Sequence, residues 1–123
     1  MPRANNIRER IQQVAAWLSD EFPAQYPVEV RWVAYLSDGS FADSYRESRR
    51  FVIRLSWRRL RRDRSIAIDT LIHEHAHCST WLPHREEEHP TEFYGELKRI
   101  EDAWQSFGEL ESVAYPIKRV RLR

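Results

Sequence analysis

Three residues in one short segment have the types and spacing to do chemistry together. In Leu71-Ile72-His73-Glu74-His75-Ala76-His77, two histidines stand four apart and a glutamate follows the first. On a helix, residues four apart lie one turn apart on nearly the same face, separated by about 6 Å of rise. His73 and His77 can therefore offer ring nitrogens to one divalent cation at the roughly 2.0–2.1 Å that zinc prefers. Glu74 projects to the side, where it meets a water on the ion rather than the ion itself. Zinc lowers the pKa of such a water toward about 7, and a neighbouring carboxylate can take its proton and pass it to a leaving group.

The surrounding stretch supports this facing. Advancing about 100° per residue, Ala67, Ile68, Leu71, Ile72, Cys78 and Leu82 fall together as an apolar side. Ile66, Asp69, Thr70, His73, His77 and Thr80 share the other side. His75 points away from the pair and reads as a packed, hydrogen-bonded histidine. Cys78 also falls on the core side, where a thiol is more often inert packing than chemistry.

A catalytic zinc takes three protein ligands and keeps one position open. His84, His89, Glu92 and Glu96 follow the motif. His84 comes directly after Pro83, too soon for the chain to fold back. His89 lies twelve residues after His77, enough for a loop to return, and is the preferred third ligand. Glu92 then serves as an outer partner orienting an imidazole; the reverse assignment, with Glu92 as ligand, stays open.

Several elements must position these groups. Asn6 and Glu9 resemble a capping box ahead of a helix striped by Ile7, Ile11, Val14 and Leu18. Phe22-Pro23 and Tyr26-Pro27 break it. Residues 28–36 alternate as a strand, Ser37-Asp38-Gly39-Ser40 supplies a turn, and a short segment at 41–45 precedes a clearer strand at 51–57. A second helix, capped by Asp63 or Ser65, carries the histidines and stops at Pro83. Pro90 opens a third, striped by Phe93, Leu97, Ile100, Trp104 and Phe107 and ended by Gly108. The tail, residues 113–123, reads as an edge strand or a flexible basic end. This order predicts an α+β fold, with a small mixed or antiparallel sheet packed on the motif helix and two further helices.

The 123 residues suit one domain with a real core, and 41% hydrophobic against 32% charged residues reads as soluble and globular. Cys78 is the only cysteine, which excludes an internal disulfide and a thiolate zinc ribbon. With no signal-like start and no apolar run near the roughly 20 residues of a membrane span, the expectation is a cytoplasmic protein without a membrane partner. Net charge is only +1, but it is unevenly spread. Between Arg46 and Arg64 there are nine arginines against two acids; residues 84–112 carry nine acids against three bases. The two regions can pair with each other, or the basic one can meet nucleic acid.

Residues 66–107 resemble a SprT-like or related phage-type zinc metallopeptidase domain. The resemblance rests on HEHAH, then Trp81, then His89-Pro90-Thr91-Glu92-Phe93. Those domains show H-E-x-x-H, an aromatic soon after, and a third histidine in H-G-x-x-F; here Pro90 replaces the glycine and Phe93 keeps its place. The resemblance implies a zincin-like fold, Zn²⁺ as cofactor, His89 as third ligand, and hydrolysis of a protein or peptide substrate. It also implies a substrate lying extended along the sheet edge beside the metal, which nominates Tyr45 or the strand at 51–57 for contact. Tyr94 and Tyr115 are candidates to stabilise an oxyanion. The cysteine-rich ribbon and DNA-binding appendage of some such proteins have no counterpart here. The competing expectation is a nucleic-acid-associated protein whose metal is structural, closed by four ligands with His84 joining.

Overall fold

The computed structural model describes residues 4–81 and 90–113. Its elements run α1 (Ala4–Glu21), β1 (Val28–Val33), β2 (Ala42–Glu47), β3 (Arg50–Ser56), α2 (Trp57–Leu60), α3 (Arg64–Ser79) and α4 (Pro90–Val113). The fold is α+β, with a small mixed sheet of order β1-β3-β2. β1 pairs parallel to β3, and β2 pairs antiparallel to it across a two-residue turn. Ser48 in that turn takes a positive φ of 58°, and the Arg46 guanidinium donates to its carbonyl at 2.8 Å.

β3 is central, which explains its burial. Phe51, Ile53 and Leu55 face the helices and Val52 the other side, yet all four are buried. Residues paired across strands share a face. Ala42, Ser44 and Arg46 therefore lie with Leu55, Ile53 and Phe51 toward the core, while Asp43, Tyr45 and Glu47 lie with Arg54, Val52 and Arg50 on the outer face. That outer face is a lattice of ion pairs: Arg31–Glu29, Arg50–Glu29, Arg50–Glu47 and Arg54–Asp43. Its long side chains cover Val52.

Ile7, Ile11, Val14 and Leu18 of α1 are buried as their spacing predicts, joined by Trp17. α1 already contains Asn6, so Asn6 does not cap it. Asp63 does cap α3, accepting from the Ile66 amide at 3.1 Å. Ahead of it lies the one-turn α2, capped by Ser56, which periodicity over so few residues cannot reveal. α3 ends at Ser79, earlier than Pro83 would require, with Thr80 Oγ1 donating back to the Ala76 carbonyl at 2.8 Å. α4 begins at Pro90 as expected but runs through Gly108 to Val113. One helical glycine costs only about 1 kcal/mol, and Glu109, Leu110 and Glu111 after it are good helix formers. Phe93 and Ile100 of α4 are buried, and its Trp104 and Phe107 pack on Trp17 with ring centres 5.4 and 5.9 Å away. Pro83 itself and the tail beyond 113 lie outside the described residues. No described helix is long and apolar enough to cross a membrane.

Candidate metal centre

α3 is held down by Ala67, Ile68, Leu71, Ile72 and Ala76, all buried, so its opposite side faces out. His73 is exposed there, and Glu74 and His77 are half-buried. The two imidazole centres are 5.0 Å apart at an interplanar angle of 73°. Rings that each bind one ion through a nitrogen at about 2.0–2.1 Å have centres about 3.2 Å from it, and a tetrahedral angle then separates those centres by about 5.2 Å. The His73–His77 pair has that spacing between ring centres, which is compatible with one shared ion.

β2 supplies a partner that the sequence does not announce. Ser44, on the core-facing side of this edge strand, donates its hydroxyl to Glu74 Oε1 at 2.7 Å. The two residues are thirty apart in the chain, and only the β2–β3 register brings them together. Beside them opens a cleft of about 320 Å³ lined by Phe41, Ala42, Asp69, Thr70, His73 and Glu74. Partial desolvation at this wall, helped by the charge of Asp63, raises the Asp69 carboxyl above its ordinary range. α4 closes the other side: Phe93, itself buried, stacks on His77 at 4.1 Å and meets His73 edge-on at 5.1 Å.

The remaining candidates divide clearly. His84, His89 and Tyr115 lie outside the described residues. Glu92 is exposed, and among the described residues no three His, Cys, Asp or Glu side chains gather as one metal site. His73, His77 and Glu92 are therefore not brought together. Tyr45 is on the sheet's outer face, away from Glu74, with the Arg54 guanidinium 5.4 Å from its ring centre. Tyr94 is 63% exposed, packs on Phe93 at 5.0 Å, and does not line the cleft. The strand at 51–57 cannot accept an added strand, because β3 is hydrogen-bonded on both edges; β2 is the edge nearest the motif.

Two neighbours of the pair are structural, as their facing predicts. His75 is buried, and its Nε2 lies 2.8 Å from the Phe22 carbonyl. A carbonyl only accepts, so Nε2 carries the proton in this contact. Burial lowers the pKa of this imidazole. Cys78 is buried, and desolvation, with a smaller contribution from the Glu74 charge, pushes its thiol up to about 12.

No family model, curated protein or solved structure matches the chain. Its function must be argued from these residues.

Proposed function

We propose that this chain is a zinc metallopeptidase in which His73, His77 and His89 hold the ion and Glu74 is the general base. The observation that carries the reading is the imidazole pair 5.0 Å apart, beside a cleft whose wall includes the Glu74 carboxylate. His89 is the proposed third ligand because it directly precedes α4, whose first turn presses Phe93 onto His77 at 4.1 Å. When bound, zinc supplies Lewis acidity that polarises the scissile carbonyl and makes water easier to deprotonate.

The chain's own residues do the rest. Ser44 holds Glu74 Oε1, leaving Oε2 to accept a proton from the attacking water and return it to the departing amine nitrogen. Among the described residues β2 has no strand on its outer edge, next to the cleft, which suits an extended peptide. Phe93 keeps the two imidazoles against an apolar wall and limits their rotation. A structural metal closed by four ligands fits less well, since His73 is exposed and Glu74 borders open space. A reducing, cytoplasmic setting agrees with a lone buried thiol.

Glu74→Gln tests the assignment. The variant should keep one zinc per chain while hydrolysis of a denatured protein substrate falls by about 10²–10⁴-fold. Full activity in the variant, or a parent protein that never takes up zinc, rejects it.

A further inference from the structure

The arginines between positions 46 and 64 do not act as one group. Arg50 and Arg54 are neutralised by Glu29, Glu47 and Asp43 on the outer face of the sheet. Arg58, Arg59, Arg61, Arg62 and Arg64 are all exposed, and among the described residues none has an acidic partner. Two acids beside this stretch have other contacts, and Asp69 on α3 makes no ion pair with these arginines. Asp63 caps α3, and Asp38 accepts from the Ser40 amide and hydroxyl at 2.9 and 2.7 Å inside its own turn. On α4, Glu96 pairs with Arg99 and Asp102 with Lys98, so these acids are neutralised locally rather than across the surface.

Two of these arginines lie against exposed aromatic rings. Tyr35 is 63% exposed, with the Arg58 guanidinium 5.8 Å from its ring centre. Phe41 is 40% exposed, with Arg59 at 5.4 Å. The loop bearing both rings is built, not loose. Leu36 is buried, the Arg58 amide donates to the Ala34 carbonyl, and the Ser56 amide donates to the Phe41 carbonyl. Gly39, at a φ of 81°, turns the loop and donates to the Leu36 carbonyl at 2.9 Å. An L side chain at that φ would be strained.

Guanidiniums without acidic partners, two of them against exposed rings that keep their other face open, match one kind of partner. Arginines neutralise phosphates, and planar rings stack with bases that a duplex would keep hidden. An acidic peptide would use the charges but leave Tyr35 and Phe41 without a role. We infer that α2, the turn after it, the first residue of α3 and the 34–41 loop form a binding surface for single-stranded nucleic acid, with Arg58, Arg59, Arg61, Arg62 and Arg64 on the phosphates and Tyr35 and Phe41 stacking bases. Phe41 also lines the cleft beside His73 and Glu74, so this surface adjoins the candidate metal centre, but the inference does not require the peptidase reading.

Fluorescence anisotropy with labelled dT15, rU15 and a 15-base-pair duplex, read from about 20 to 200 mM salt, tests it. Five neutralised phosphates set a log–log salt slope of about −3.5 for a single strand, and Arg58→Ala/Arg59→Ala/Arg62→Ala should flatten it by about 2. Tyr35→Ala should weaken binding at least about fivefold with the slope unchanged. Glu74→Gln should bind like the parent, which separates this surface from the metal centre. All these positions except Glu74 are exposed, and circular dichroism checks that each variant stays folded. The inference is overturned if neither single strand binds at low salt, if duplex binds as tightly, or if the triple variant keeps its slope. Competition by polyglutamate or anionic vesicles as strong as by dT15, or an unaffected Tyr35→Ala, would equally overturn it.

Discussion

Ser44→Ala deletes one hydroxyl and with it the donor 2.7 Å from Glu74 Oε1. A hydrogen bond to a charged group contributes about 1.5–3 kcal/mol when water cannot replace it. Both residues are half-buried, so water partly substitutes and the loss falls at or just below the lower end, about 1–1.5 kcal/mol. Because the contact orients a base rather than binding substrate, the cost should appear in kcat. At 1.4 kcal/mol per factor of ten, that is a fall of roughly five- to tenfold with KM little changed. Steady-state hydrolysis of a quenched fluorogenic peptide by the zinc-loaded protein measures it. Ser44→Thr keeps a hydroxyl on the strand and should recover most of the rate. In a Glu74→Gln background, where no base remains to orient, Ser44→Ala should do nothing further. An unchanged kcat in the single variant, or an equal loss in both backgrounds, would show that Ser44 does not work through Glu74.

Three further expectations follow from the same geometry. His73→Ala, His77→Ala and His89→Ala should each weaken zinc binding by more than the roughly 10- to 100-fold that losing an outer partner costs, while Glu92→Ala stays within that range; competition against a zinc chelator decides, and the opposite ranking would make Glu92 the ligand. His75→Ala removes a buried ring and strands the Phe22 carbonyl, so urea unfolding should register a loss of about 2–4 kcal/mol, against a loss under 1 kcal/mol if the contact is dispensable. Cys78, 3% exposed with its thiol pushed up to about 12, should resist a thiol-specific reagent in the native protein and react fully once unfolded; stoichiometric labelling before unfolding would contradict its burial.

Local spacing settled much of this protein in advance. The stripes Ile7-Ile11-Val14-Leu18 and Ala67-Ile68-Leu71-Ile72, the Asp63 cap, the packed roles of His75 and Cys78, and the common side of His73 and His77 all follow from a helix repeating every 3.6 residues, a property of the segment alone. What lies across strands does not. Alternation marks a strand without saying whether it is central, and only pairing with both β1 and β2 removes the 51–57 segment as a docking edge. Register sent Ser44 inward to Glu74 and its neighbour Tyr45 to the opposite face, because successive side chains point opposite ways and a shift of one residue would exchange them. The arginine-rich stretch likewise divided into paired and unpaired members only when folding chose which carboxylates came within about 4 Å of each guanidinium. Side-chain periodicity is written in the chain, whereas partners distant in sequence are chosen by how the elements pack.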